Sequence, residues 1–133
     1  MRTDALREAV TLAETCKVLV ATAGSDGTPH LACAGRLRPG EGRRVVVSEW
    51  FCPGTVRNVE ENPAISVTVW DEPQDRGYQL IGRVEDMQEE EVLDGYAPEA
   101  EAEHPTPQAR RSLIVRVETI LDFMQAPHTD VEE

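Results

Sequence analysis

Residues Trp50 to Pro63 read WFCPGTVRNVEENP and lie between two apolar runs, RRVVVSE (43–49) and AISVTVWD (64–71). Both runs are rich in valine and bounded by turn residues, the signature of β-strands. Pro53-Gly54 ends the first run, and Thr55 carries a hydroxyl suited to capping a helix start. A parallel sheet needs longer crossover helices than this stretch supplies. The flanking strands are therefore expected in an antiparallel sheet.

The same alternation of short strands and tight turns continues outward. KVLVATA (17–23) is a strand, GSDG (24–27) a hairpin turn with two glycines, and PHLACAGRL (29–37) the returning strand. PGEG (39–42) turns into RRVVVSE, and GYQLIGRVEDM (77–87) and RRSLIVRVETILDF (110–123) complete the set. Leu6, Ala9, Val10, Ala13 and Cys16 fall at helical spacing, so residues 1–16 are expected to form an N-terminal helix. EEEVLDGYA (89–97) reads as a second short helix with acidic residues at its favourable end. PEAEAEHPTP (98–107) has three prolines and no periodicity, as a surface loop or lid would, and residues 124–133 form a tail. The expected fold is mainly β, an α+β domain built on a six-stranded antiparallel barrel with a few short helices. One domain spans residues 1–133.

The composition narrows the function. With 13 basic against 25 acidic residues the net charge is −12, which disfavours nucleic acid and anionic membrane as partners. No apolar run reaches the roughly 20 residues that cross a bilayer, and the N-terminus lacks a signal peptide's apolar core. A cytoplasmic location is expected. The three cysteines, Cys16, Cys33 and Cys52, are odd in number and form no CxxC pair, which suits reduced thiols. A zinc site from Cys33, Cys52 and His30 is the weaker reading on ligand spacing. No Gly-rich phosphate loop or dinucleotide fingerprint occurs, and Ser48 stands outside any nucleophile elbow.

The order of these motifs resembles the FMN-binding split barrels of the pyridoxamine 5'-phosphate oxidase-like superfamily. The marks are Asp26-Gly27 before Pro29-His30, and Thr55 followed by Asn58-Val59 and Asn62-Pro63, over roughly residues 17 to 120. The resemblance implies a homodimer with FMN in grooves at the subunit interface. It assigns Cys33, Ala34, Gly35 and Arg36 to the segment running along the flavin, and Ser48, Glu49 and Trp50 to the second strand lining the groove. Thr55 matches a phosphate-contacting threonine, and Gln108 and Arg111 occupy places that reach the other subunit's flavin. The family often carries a lysine beside Thr55, where this chain has Gly54, and its one lysine is the distant Lys17. The implied function is a flavin-dependent oxidoreductase or electron carrier for an unidentified small substrate. The alternative is a split-barrel dimer without FMN that binds another ligand or a protein.

The residues support an anion site in their own right. A helix starting at Thr55 leaves the amides of Val56, Arg57 and Asn58 unpaired, and unpaired amides at a helix start attract phosphate. Arg57 or Arg36 would add bidentate contacts in place of the lysine. On the other reading Thr55 only caps the helix and Arg57 is surface. Trp50 and Trp70 would cover a flavin ring or pack in a core or interface. His30 is expected to be exposed, and no residue stands out as a general acid or base.

Overall fold

The computed structural model describes residues 3–50, 53–93, 108–127 and 129–133. Helix α1 (Thr3–Leu12) leads into strands β1 (Val18–Ala23), β2 (Pro29–Ala34), β3 (Arg36–Pro39) and β4 (Arg44–Trp50). Helix α2 (Pro53–Glu61) follows, then β5 (Ala64–Asp71), β6 (Arg76–Leu93) and β7 (Gln108–Asp122). All pairings are antiparallel, in the order β2-β1-β5-β6-β7-β4-β3.

That order makes the sheet curl. β2 and β3 stand at its opposite edges, yet a single residue, Gly35, joins them in the chain. The sheet must bend round until its edges approach, and no ladder pairs them along their length, so the barrel is split. The expected barrel is confirmed, with seven strands rather than six. No turn residue other than Gly35 marks the change of partner in PHLACAGRL: Ala34 still pairs with Val18 of β1, whereas Arg36 pairs with Ser48 of β4, and the buried alternation slips by one residue at Gly35, from Ala34 to Leu37.

Alternate residues of each strand fill the interior. Val20, Val67, Leu80 and Ile120 form one cross-strand row, and Leu37, Val47 and Leu113 another, all buried. α1 closes one side with Ala5, Leu6 and Ala9. The Tyr78 hydroxyl donates to the Glu8 carboxylate and ties α1 to β6; burial, aided by that carboxylate, raises the tyrosine's pKa.

Two expectations change. The acidic run Glu89–Glu91 belongs to β6, which continues to Leu93 against Gln108–Arg111 of β7. Pairing with β7 outweighs the weak local helix preference. α1 ends at Leu12, ahead of a turn at 13–15, so it is shorter than the expected 1–16. The loop at 98–107 lies outside the described residues. The C-terminal segment turns back onto the barrel: the Asp122 amide donates to Val131 O (2.8 Å), and Glu132 bridges to Leu121. No helix among the described residues is long and apolar enough to cross a membrane.

Candidate functional site

α2 begins at Pro53, two residues before the expected cap. Proline suits a first helical position because its missing amide would have no intrahelical acceptor anyway. The amides left without an intrahelical acceptor are therefore those of Gly54 and Thr55. Thr55 sits within the first turn with a fully buried side chain. Val56 is half-buried, and Arg57 is exposed with no ion pair or hydrogen bond among the described residues.

Two contacts hold α2 against the β1–β2 hairpin. Asn58 Nδ2 donates to the buried hydroxyl of Thr22 at 3.1 Å. Gly54 lies against His30: a Cβ added there would sit 2.8 Å from His30 Nε2. The imidazole thus occupies the space a side chain at position 54 would need. His30 is half-buried rather than exposed, and its Nδ1 is shielded from solvent. The Asp26-Gly27 turn above it is set by Gly27 at φ +86° and by the Thr28 amide donating to Asp26 Oδ1 at 3.0 Å, which lowers the Asp26 pKa.

The decisive geometry is a chain segment held between two elements. Arg36 pairs with Ser48 at one end, and His30 meets Gly54 at the other. Residues 30–36 therefore run from the start of α2, at Gly54, to Ser48 of β4, touching an element at each end. Cys33, Gly35 and Arg36 are exposed on this segment, and Ala34 is buried. Ser48 of β4 is buried. Glu49 and Trp50 continue β4, their backbones opposite Arg111 and Arg110 of β7. Gln108 lies three residues further along β7, opposite Leu93, and Arg111 reaches Glu89 at 3.8 Å. The fold thus gathers the sequence-nominated residues onto β2, β3, β4, the start of α2 and the adjoining end of β7.

Trp70 lies at the far end of β5 from α2, where its indole donates to Asp75 Oδ1 (3.2 Å) and its ring packs edge-on against Phe123 at 5.9 Å. It is a packing residue remote from this cleft. Among the described residues no group of histidine, cysteine and carboxylate ligands is arranged to hold a metal, and Cys52 lies outside them. Sequence reasoning missed the His30–Gly54 contact and the polar pair Arg38–Ser112 (3.5 Å), which depend on strands distant in sequence.

Residues 3–123 match the family model for pyridoxamine 5'-phosphate oxidase. The chain belongs to that family. Among solved structures, HupZ of Group A Streptococcus is 21% identical with a TM-score of 0.68, over 98% of this chain and 99% of that one. A putative pyridoxamine 5'-phosphate oxidase from Lactobacillus delbrueckii is 19% identical, TM-score 0.63, covering 85% and 89%. An FMN-binding protein from Syntrophomonas wolfei is 14% identical, TM-score 0.60, covering 90% and 86%. At these identities the likeness is one of fold. A search of curated protein sequences finds no match.

The cleft has donors of the kind FMN requires. The start of α2 offers backbone amides and a favourable dipole, while Arg36 and Arg57 are exposed and without partners among the described residues. The space beside Gly54 is occupied by the His30 ring.

Proposed function

We propose that this family member binds FMN in the cleft between residues 30–36, the end of β4 and the start of α2, and serves as an oxidoreductase or electron carrier for a small substrate. The supporting observation is the double contact, Arg36 with Ser48 and His30 with Gly54, which sets residues 30–36 between β4 and a helix start. The α2 amides and Arg57 would hold the phosphate. Cys33–Arg36 would run along the ring, Ser48–Trp50 would line the facing wall, and Gln108 and Arg111 would reach the flavin of a second subunit. When bound, FMN supplies hydride and single-electron transfer. The chain positions the ring, keeps water off it and sets its electrostatics. Arg36 near the pyrimidine end would stabilise negative charge on the reduced ring, and Glu49 would oppose it.

A homodimer belongs to this proposal. The outward face of β2 carries Leu31, 65% exposed, opposite Ala21 of β1, and Cys33 opposite Leu19. Covering this apolar strip with a twofold copy would remove it from water and bring a second chain to the cleft.

The specific observation favouring the second reading, a barrel that has given up FMN, is the His30 ring in the space beside Gly54, where the resemblance would put a lysine. Titration of the purified protein with FMN separates the two. The proposal expects saturable binding with a shifted flavin absorbance band, and a protein that leaves the FMN spectrum unchanged would refute it.

A further inference from the structure

On the outward face of the sheet, Arg44 of β4 stands opposite Arg116 of β7, which stands opposite Arg83 of β6. Three arginines thus form one row across three neighbouring strands. Like charges directly opposite each other destabilise a sheet, so the arrangement works against folding unless something anionic uses it. It is also unexpected in a chain of net charge −12. The register behind it is fixed by backbone: a Cβ at Gly82 would fall 2.0 Å from Arg116 O, so only glycine lets β6 approach β7 there.

The neighbouring carboxylates neutralise the row only in part. Glu85 is taken by Arg44, with Nε to Oε1 at 2.6 Å. Asp86 is turned to the Met87 amide (2.9 Å) and Gln88 Nε2 (3.1 Å). Arg83 and Arg116 are exposed and make no ion pair or hydrogen bond among the described residues; Glu118 lines the same groove, and Glu41 adds its charge near Arg44. A groove of about 420 Å³ lies between Pro63, Arg83, Val84, Glu85, Arg116 and Glu118. On the same sheet face a second groove of about 530 Å³ is lined by Arg38, Ser112 and Gln88 over an apolar floor of Val46 and Ile114. Both volumes suit a small molecule.

We propose that this face binds a small molecule carrying two or more phosphate groups, with Arg83 and Arg116 as the phosphate anchors and Arg38 at the far end. Register partners on adjacent strands are about 5 Å apart, so their guanidiniums can clamp one phosphate or adjacent ones with bidentate hydrogen bonds. Arg44, oriented by Glu85, contributes charge. The site is separate from the FMN cleft and holds whether or not flavin binds.

The test is isothermal titration of the full chain with sodium tripolyphosphate at about 0.15 M salt. Wild type should bind it saturably and several-fold tighter than inorganic phosphate. The double variant Arg83→Gln/Arg116→Gln should lose about tenfold or more in affinity, as expected for lost charge-assisted hydrogen bonds. Its melting temperature should equal or exceed that of wild type, because the repulsion across the row is relieved. Arg116→Lys, which keeps the charge and loses the fork, should fall between the two and provides a folded variant in any case. Absence of saturable binding by wild type would overturn the proposal, as would unchanged affinity in both Arg116 variants. Loss of binding in Arg57→Gln in place of these variants would assign the phosphate to α2 and overturn it equally.

Discussion

The two ends of the barrel handle their polar groups in opposite ways. At the end near Trp70, the Asp75 carboxylate accepts the Gln125 amide (2.7 Å), the Ala126 amide (2.9 Å) and the Trp70 indole (3.2 Å). That end is a clasp, with its donors and acceptor matched and the returning C-terminal segment as its cargo. At the α2 end, Arg36 and Arg57 are exposed and unmatched among the described residues. Fully matched groups hold the chain together. Unmatched donors of one sign at the other end are what a ligand of the opposite sign requires.

The largest effect is expected from placing a charge inside the α2 end. Thr55 is fully buried, so Thr55→Asp should lose about 3 kcal/mol or more through an unpaired buried carboxylate, whereas Thr55→Val should lose about 1 kcal/mol. Urea denaturation of both variants checks this. A stable Thr55→Asp protein would mean that the side chain reaches solvent.

Next in size is the contact between His30 and position 54. Gly54→Ala overpacks the imidazole and should cost about 1–3 kcal/mol, recovered in large part by adding His30→Ala. Non-additivity in a double-mutant cycle is the readout. The double variant Gly54→Lys/His30→Ala would restore the family's lysine and should tighten FMN binding about tenfold through a new charged contact.

These two positions show where sequence reading reached and where it stopped. The strands were legible because short apolar runs, valine-rich in β1, β4, β5 and β7, are bounded by turn residues, and the hairpin at Asp26-Gly27 because its turn needs a positive φ. At Gly35 the strand changes partner and the buried alternation slips by one residue, and a lone glycine inside an apolar run does not announce that break, so one strand is expected where there are two. The run Glu89–Glu91 looked helical because its strand character comes from β7 across the ladder. The candidate site could be nominated from the sequence only as a list of residues. Its geometry was not legible: that His30 fills the space beside Gly54, and that Thr55 turns inward, depends on the packing of a hairpin some 25 residues away from α2 in the sequence.

At the clasp, the effect should depend on pH. The Gln125 amide, first among its partners, holds the Asp75 pKa below its ordinary value. A carboxylate with a depressed folded-state pKa contributes stability that is present above its unfolded pKa and lost as pH falls through the folded one. Melting temperature should therefore drop on acidification below about pH 4 in wild type, and drop less in Asp75→Asn. Equal acid limbs in the two proteins would remove Asp75 from the clasp's energetics.

The smallest effect on folding, with a large one on assembly, is expected at Leu31. Leu31→Arg lies on an exposed strand face and should leave the unfolding midpoint nearly unchanged. Sedimentation should show wild type as a dimer and the variant shifted towards monomer. A monomeric wild type at micromolar concentration would count against the shared groove.

The account rests on a flavin phosphate held at the start of α2, and the direct measurement is a paired titration of FMN and riboflavin into wild type and Arg57→Gln, followed by flavin absorbance and fluorescence. Wild type should bind FMN at least about tenfold tighter than riboflavin, the worth of a charge-assisted phosphate contact. Arg57→Gln should lose most of that difference while binding riboflavin as before. Equal affinity for the two flavins in wild type, or an FMN preference that survives in Arg57→Gln, would contradict it.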